Sequence, residues 1–251
     1  MSQINRIWIL AGQSHMSGSS NTVNEIPSRL QNNYLHNNRG WDGTTFKVYN
    51  SANDNISLPV AANNNGHIAY GMADVASYLG NDVYVLHFAE GGKFLGEIPT
   101  QTDFNPLSVG ELYDDMVSHI TSIKAWMDAR DKEYIFEGVI WWQGQADSTS
   151  STWATYYADN LTLLYDGLVT ETGNANLKFY QDYIQVPPGA SYTHWAGLNT
   201  RKTSFTAADP TNRKVYTPNF TDWQSDNVHP SVSEYYRCFQ DDLLPLIKAD
   251  L

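Results

Sequence analysis

Hydrophobic and polar positions along the chain follow two periods in turn. Short, nearly continuous apolar runs stand at 5–10 (NRIWIL), 46–50 (FKVYN), 82–88 (DVYVLHF), 135–142 (IFEGVIWW) and 177–184 (LKFYQDYI), with a weaker run at 213–217 (RKVYT). Runs of this kind predict strands covered on both faces. Between them the apolar positions recur at the helical period. Ile68, Met72, Val75, Ala76 and Leu79 share one face, and so do Leu112, Met116, Ile120, Ile123 and Met127. Tyr157, Leu161, Leu164 and Leu168 make a third stripe; Val232, Tyr236, Phe239, Leu243, Leu246 and Ile247 make a fourth. Residues 190–208 are a weaker fifth helix. Strand–helix alternation predicts a parallel sheet with helices on both faces, and no linker or repeat divides residues 1–251, so one domain is expected. Two stretches, 19–45 and 218–228, are long and polar, as functional loops are.

Composition narrows the function classes. With 41% hydrophobic and 17% charged residues the chain is globular, and its net charge of −12 opposes binding to a phosphate backbone. No run approaches the roughly 18 apolar residues of a membrane span, and MSQINR lacks the apolar stretch of a signal peptide. The single cysteine, Cys238, excludes an internal disulfide and a cysteine zinc cluster, and its periodic setting predicts packing rather than reactivity. Eight Trp and 16 Tyr exceed what a core needs, and surplus aromatic faces suit the C–H faces of sugars.

In open parallel sheets ligands bind beyond the carboxyl ends of the strands. Four segments belong there: AGQSHMSG at 11–18, AEGGKF at 89–94, QGQAD at 143–147 and DNVHPS at 226–231. Ser14 is either a helix cap or a nucleophile. His229, with Asp226 three residues before it, has the spacing of an imidazole oriented by a carboxylate, which a serine nucleophile requires. Gly91-Gly92 is a plain turn or a source of unobstructed N–H donors for an oxyanion; Gln143 is a buried amide or a further donor. No HExxH or Asp-rich loop points to a metal, and no GxGxxG or GxxxxGK[ST] to a nucleotide.

These blocks, in this order and spanning 12–230, resemble the SGNH hydrolases, and within them the sialate O-acetylesterase-like group that includes carbohydrate esterase family six. The group's GQSNM is here Gly12-Gln13-Ser14-His15-Met16, its QGExD is Gln143-Gly144-Gln145-Ala146-Asp147, and its DxxHP is Asp226 to Pro230. The resemblance implies a flavodoxin-like three-layer α/β/α sandwich with a five-stranded parallel sheet. It implies hydrolysis of O-acetyl esters on sugars, with Ser14 as nucleophile, His229 as base and then acid, and Asp226 orienting it. The implied oxyanion hole joins the Ser14 N–H, an N–H of the glycine turn (Gly92 preferred, Gly91 the alternative) and the Gln143 side chain, without cofactor or metal.

Two departures stand out, His15 for Asn and Gln145 for Glu. His15 either enters the pocket or belongs to the scaffold; Gln145 removes a carboxylate but keeps a hydrogen-bonding side chain. Gln13, His15, Trp142 and Trp223 are the substrate-binding candidates, with Trp41 and Trp153 as further aromatics, and Lys93 is a solvated lysine or a partner for an acidic sugar. His36, His67, His87, His119 and His194 lack a nucleophile and acid beside them and read as structural or surface residues. The expected partner is an acetylated glycan: sialic acid, xylan or a bacterial surface polysaccharide. A lipase or thioesterase on the same scaffold, and a non-catalytic glycan-binding protein, are the alternatives; the polar loops oppose the first, and only Gln145 favours the second. The Asn-, Ser-, Thr- and Tyr-rich texture resembles phage-tail esterase domains, so a virion or other extracellular-acting location is expected beside a cytoplasmic one. The oligomeric state is left open.

Overall fold

The structure, a computed structural model, describes residues 4–17, 38–48, 57–58, 67–187, 192–226 and 228–251. Its strands are β1 (Asn5–Gly12), β2 (Asn38–Trp41), β3 (Phe46–Val48), β4 (Ser57–Leu58), β5 (Val83–Ala89), β6 (Tyr134–Trp142), β7 (Lys178–Asp182) and β8 (Arg213–Tyr216). Its helices are α1 (Ser14–Ser17), α2 (His67–Leu79), α3 (Leu112–Asp128), α4 (Ser151–Thr172), α5 (Trp195–Ala208), α6 (Val232–Cys238) and α7 (Leu244–Asp250).

Seven strands lie in the order β3-β2-β5-β1-β6-β7-β8, and β4 also pairs with β5. The sheet is therefore wider than the five parallel strands expected. Five of them, β5-β1-β6-β7-β8, are the parallel centre; β2 and β4 extend it in parallel along the outer edge of β5. The run at 46–50 is corrected in kind: β3 is an edge strand antiparallel to β2. β2 escaped the pattern because NRGW is not an apolar run. Its contribution is Trp41, which is buried against Phe46 with ring centres 5.1 Å apart.

Both faces of the sheet are covered, and the period of two shows how. In β1 Ile7, Ile9 and Ala11 enter one core with the buried residues of α3, α4 and α5, while Trp8 and Leu10 enter a second core with α2, α6 and α7. The helical stripes of α3 and α4 are buried as expected. The C-terminal stripe is buried at Val232, Phe239, Leu243 and Ile247, with Tyr236 and Leu246 partly buried against the same core. A π-helical turn at Phe239–Leu243 inserts a residue's worth of register, so Tyr235 and Cys238 face the core before it and Leu244 and Ile247 after it. Cys238 is buried, and burial pushes its thiol well above the ordinary range. No helix among the described residues is long and apolar enough to cross a membrane.

Candidate active site

Residue pairing brings three strand ends to one level: Gly12 of β1 lies opposite Ala89 of β5 on one side and Trp142 of β6 on the other. The segments that follow these residues hold Ser14, Gly91-Gly92 and Gln143. Gly12 has φ +140°, and a β-carbon there would stand 2.1 Å from the Trp142 carbonyl oxygen. Only glycine lets the chain leave the sheet at this point. The Gln13 N–H donates to that same carbonyl at 2.9 Å, and the Gln13 carbonyl accepts from Met16 and Ser17, which starts α1 at Ser14.

Ser14 is half-buried in an otherwise buried run, 11–17. Its hydroxyl does not cap the helix. Ser14 Oγ lies 2.8 Å from His229 Nε2, and His229 Nδ1 lies 2.7 Å from Asp226 Oδ2. The other Asp226 oxygen accepts the backbone N–H groups of Val228 and His229 at 2.9 and 3.0 Å. Burial pushes the Asp226 carboxyl up, but the His229 ring and these two N–H groups outweigh it and hold the group at about 2. The loop that carries the pair is folded back by an antiparallel bridge between Trp223 and Pro230 and by the Gln224 N–H on the His229 carbonyl.

Of the two glycines, Gly91 is the one against the Ser14 side chain. A β-carbon on Gly91 would lie 3.6 Å from Ser14 Cβ, whereas one on Gly92, where φ is +73°, would meet nothing within 4 Å. Gln143 is placed differently from expectation. Its Nε2 donates to the Lys93 carbonyl and to Asp147 Oδ2, and its Oε1 accepts from Tyr157. Both amide hydrogens are thus engaged inside the protein, and the fully buried side chain offers no donor to the Ser14 hydroxyl.

Three substrate candidates are also displaced by burial. Trp142 is wholly buried, packed on Tyr235 and Phe220, with its Nε1 donating to the Tyr216 hydroxyl. Gln13 is buried and accepts the Gly144 and Ala146 N–H groups at 3.4 and 3.3 Å. His15 is buried behind Ser14, in hydrogen bonds described below. Trp223 and Trp153 remain half-buried. Trp153 stacks edge-on with Phe94, ring centres 4.6 Å apart, on the loop that continues from the glycine turn. Lys93 pairs with Glu90 at 3.0 Å and is mostly buried, so its charge is already met. His87 and His119 are structural, the first on the Met16 carbonyl at 2.9 Å and the second near Trp41 Nε1 at 3.4 Å. His36 and the His67 side chain lie outside the described residues.

Two buried groups beneath the site were given no role by the sequence. Asp147 accepts the Leu95 and Gly96 N–H groups and the Gln143 amide, so one carboxylate ties the loop after the glycine turn to the end of β6. Burial pushes it up to about 6 despite these donors. Lys202 is wholly buried, and its ammonium meets the Gln143 carbonyl, the Asp182 carbonyl and Asp182 Oδ1 at 2.7, 2.7 and 3.1 Å. Burial pushes Lys202 down and Asp182 up, against the attraction between them. Asp147 stood in view as the last letter of QGQAD; Lys202 sits on a helix whose periodicity is too weak to single out any position. A groove of about 740 Å³ beyond β7 and β8, bordered by Tyr183, Trp195 and Asn219, is separate from the triad residues.

A family model described as carbohydrate esterase, sialic acid-specific acetylesterase, matches residues 4–237. The chain belongs to this family. Membership of this carbohydrate esterase family makes it a carboxylic ester hydrolase by descent. No curated protein matches it. Among solved structures, a protein from Arabidopsis thaliana is similar at 18% identity and TM-score 0.75, covering 99% of this chain and 98% of its own. A carbohydrate acetylesterase from Xanthomonas citri is similar at 17% identity and TM-score 0.58, over 92% of this chain and 54% of the longer protein. A carbohydrate esterase family 2 enzyme with a carbohydrate-binding domain, from Corynascus thermopiles (Myceliophthora fergusii), matches at 14% identity and TM-score 0.55, over 100% of this chain and 66% of its own. At these identities the structural likeness concerns the fold: an α/β sheet of the SGNH kind, as the acetylesterase family leads one to expect.

Proposed function

We propose that this protein is a serine esterase that removes O-acetyl groups from carbohydrate through an acyl-enzyme. The observation that carries the reading is the chain of contacts from Ser14 Oγ to His229 to Asp226, at 2.8 and 2.7 Å. Asp226 accepts the hydrogen bond from the Nδ1–H and fixes the tautomer in which Nε2 is the base. Ser14 Oγ attacks the acetyl carbonyl carbon as His229 Nε2 takes its proton. The tetrahedral oxyanion is met by the Ser14 N–H, which lies in the first turn of α1 and has no intrahelical acceptor, and by an N–H of the Gly91-Gly92 turn. Collapse breaks the C–O bond, and His229 passes its proton to the departing sugar oxygen. Water then adds to the acetyl-serine with His229 again as base, and acetate leaves with Ser14 restored.

Family membership supports an ester of a carbohydrate as substrate. So does the Phe94–Trp153 pair, whose half-buried rings join the loop that leads from the glycines to the first turn of α4. The finer choice between sialic acid, xylan and a bacterial surface polysaccharide is tested by a panel of acetylated glycans. Acetate release from one member that vanishes in Ser14→Ala supports the reading; faster turnover of long-chain p-nitrophenyl esters than of the acetate opposes it.

A further inference from the structure

The two positions that depart from the family pattern touch each other. Gln145 Nε2 lies 2.9 Å from His15 Nδ1, and His15 Nε2 lies 3.2 Å from the carbonyl oxygen of Val228, the residue before His229. A carbonyl can only accept, so Nε2 carries a proton; in the neutral ring Nδ1 is then left with its lone pair, and the Gln145 amide donates to it. This arrangement turns Gln145 Oε1 the other way, where it is buried with no hydrogen-bond partner among the described residues. The His15 ring meets the His229 ring edge-on at 5.3 Å and the Tyr235 ring at 5.9 Å.

We propose that His15 and Gln145 form one positioning unit, in which an uncharged imidazole held in a single tautomer by the Gln145 amide tethers the Val228 carbonyl and so sets the His229 ring against Ser14. The inference rests on the reading of Ser14, His229 and Asp226 as the catalytic residues. It makes the two departures a single exchange. A neutral histidine at 15 needs a donor from position 145, which glutamine supplies and a carboxylate does not. An asparagine at 15 carries its own donor and can face a carboxylate there. The charged groups acting on His15 are His229 and Asp226 on the tethered loop and Lys202 on α5; burial first, and then His229, push the His15 imidazole down to about 3. The Val228 carbonyl and the Asp226 carboxylate favour a charge on it, but burial, His229 and Lys202 outweigh them.

The test is a cycle of Gln145→Glu, His15→Asn and the double variant, with kcat and KM for p-nitrophenyl acetate read from pH 5 to 9 beside the thermal midpoint. Each single change is expected to lower kcat about tenfold with KM little altered, because the base is displaced rather than the substrate site. Gln145→Glu draws a proton onto His15 and alters the shape of the kcat–pH profile. The double variant, which has the pair common in the family, recovers kcat to within about threefold and regains the wild-type profile, a coupling that independent sites do not show. Losses that multiply in the double variant overturn the proposal, as do single variants that change only the thermal midpoint. Should a variant fail to fold, the imidazole nitrogen shifts of wild-type His15 decide: protonated Nε2 and bare Nδ1 from pH 5 to 8 support the unit, and a proton on Nδ1 or titration in that range overturns it. A wild type without Ser14-dependent hydrolysis defeats the catalytic reading instead, while the nitrogen shifts still report on the pair.

Discussion

Ser14 does what its neighbours cannot: it is the residue of the run 11–17 that reaches the surface, and its hydroxyl points to an imidazole rather than to a helix N–H. On the proposed mechanism Ser14→Ala and His229→Ala each lower kcat by roughly 10⁴-fold without altering the circular dichroism spectrum, and Asp226→Asn costs heavily but less, since Asp226 acts through His229. Single-turnover kinetics on p-nitrophenyl acetate check this; a His229→Ala enzyme within tenfold of wild type contradicts it. The same scale governs acid sensitivity. Burial holds His15 down to about 3, with help from His229, and His87 down to about 4. In the unfolded chain both imidazoles take protons from about pH 6.5 downward, so the unfolded state binds more protons across the window from there to about 3. Stability is full above this window and declines as pH falls through it. Urea midpoints are therefore expected to be lower at pH 4.5 than at pH 7.5; equal midpoints contradict it.

At the scale of elements, the site is a set of segments that the sheet brings to one level and that buried polar side chains then hold in register. Asp147 is the tie between the glycine loop and β6, through Leu95, Gly96 and Gln143. Asp147→Ala leaves those donors buried and unmet, a loss of about 1–3 kcal/mol each in the usual case. The expected result is a lower thermal midpoint together with a kcat reduced more than tenfold, since Gly91 then loses its position beside Ser14; unchanged kcat contradicts the tie. Trp153, half-buried in the first turn of α4, packs on Phe94 of the same loop. Trp153→Ala is expected to raise KM for an acetylated polysaccharide several-fold and leave p-nitrophenyl acetate nearly unaffected, with equal effects on both as the contrary result.

At the scale of the molecule, the chain's hydrophobic periods were enough to place the parallel centre and its helices, because strands buried on both faces and amphipathic helices declare themselves in sequence. Less was legible where a local feature is set by its partners. β2 is polar in sequence and becomes a strand because β5 offers it an edge; β4 pairs along the same strand, β5. The π-helical turn at Phe239–Leu243 comes just before Pro245, whose missing N–H cannot bond back to the Asp241 carbonyl, a signal that the apolar period does not carry. In the site, Ser14, Asp226 and His229 could be named because the GQSHM and DNVHP blocks resemble the family's motifs; the Asp226–His229 spacing by itself was a weaker signal, and nothing local tied Ser14 to it. The fate of Gln143 could not, since whether an amide faces the pocket or the interior depends on Asp147 and Tyr157, which the spacing does not pair with it. Nor could the joining of His15 to Gln145, 130 positions apart in the chain.

The most direct test of the account is acetate release from an O-acetylated polysaccharide by the wild type and by Ser14→Ala at pH 8. The account predicts steady release by the wild type and none above background by the variant. Equal release by both proteins, or binding of the acetylated glycans with no acetate released by the wild type, would contradict it.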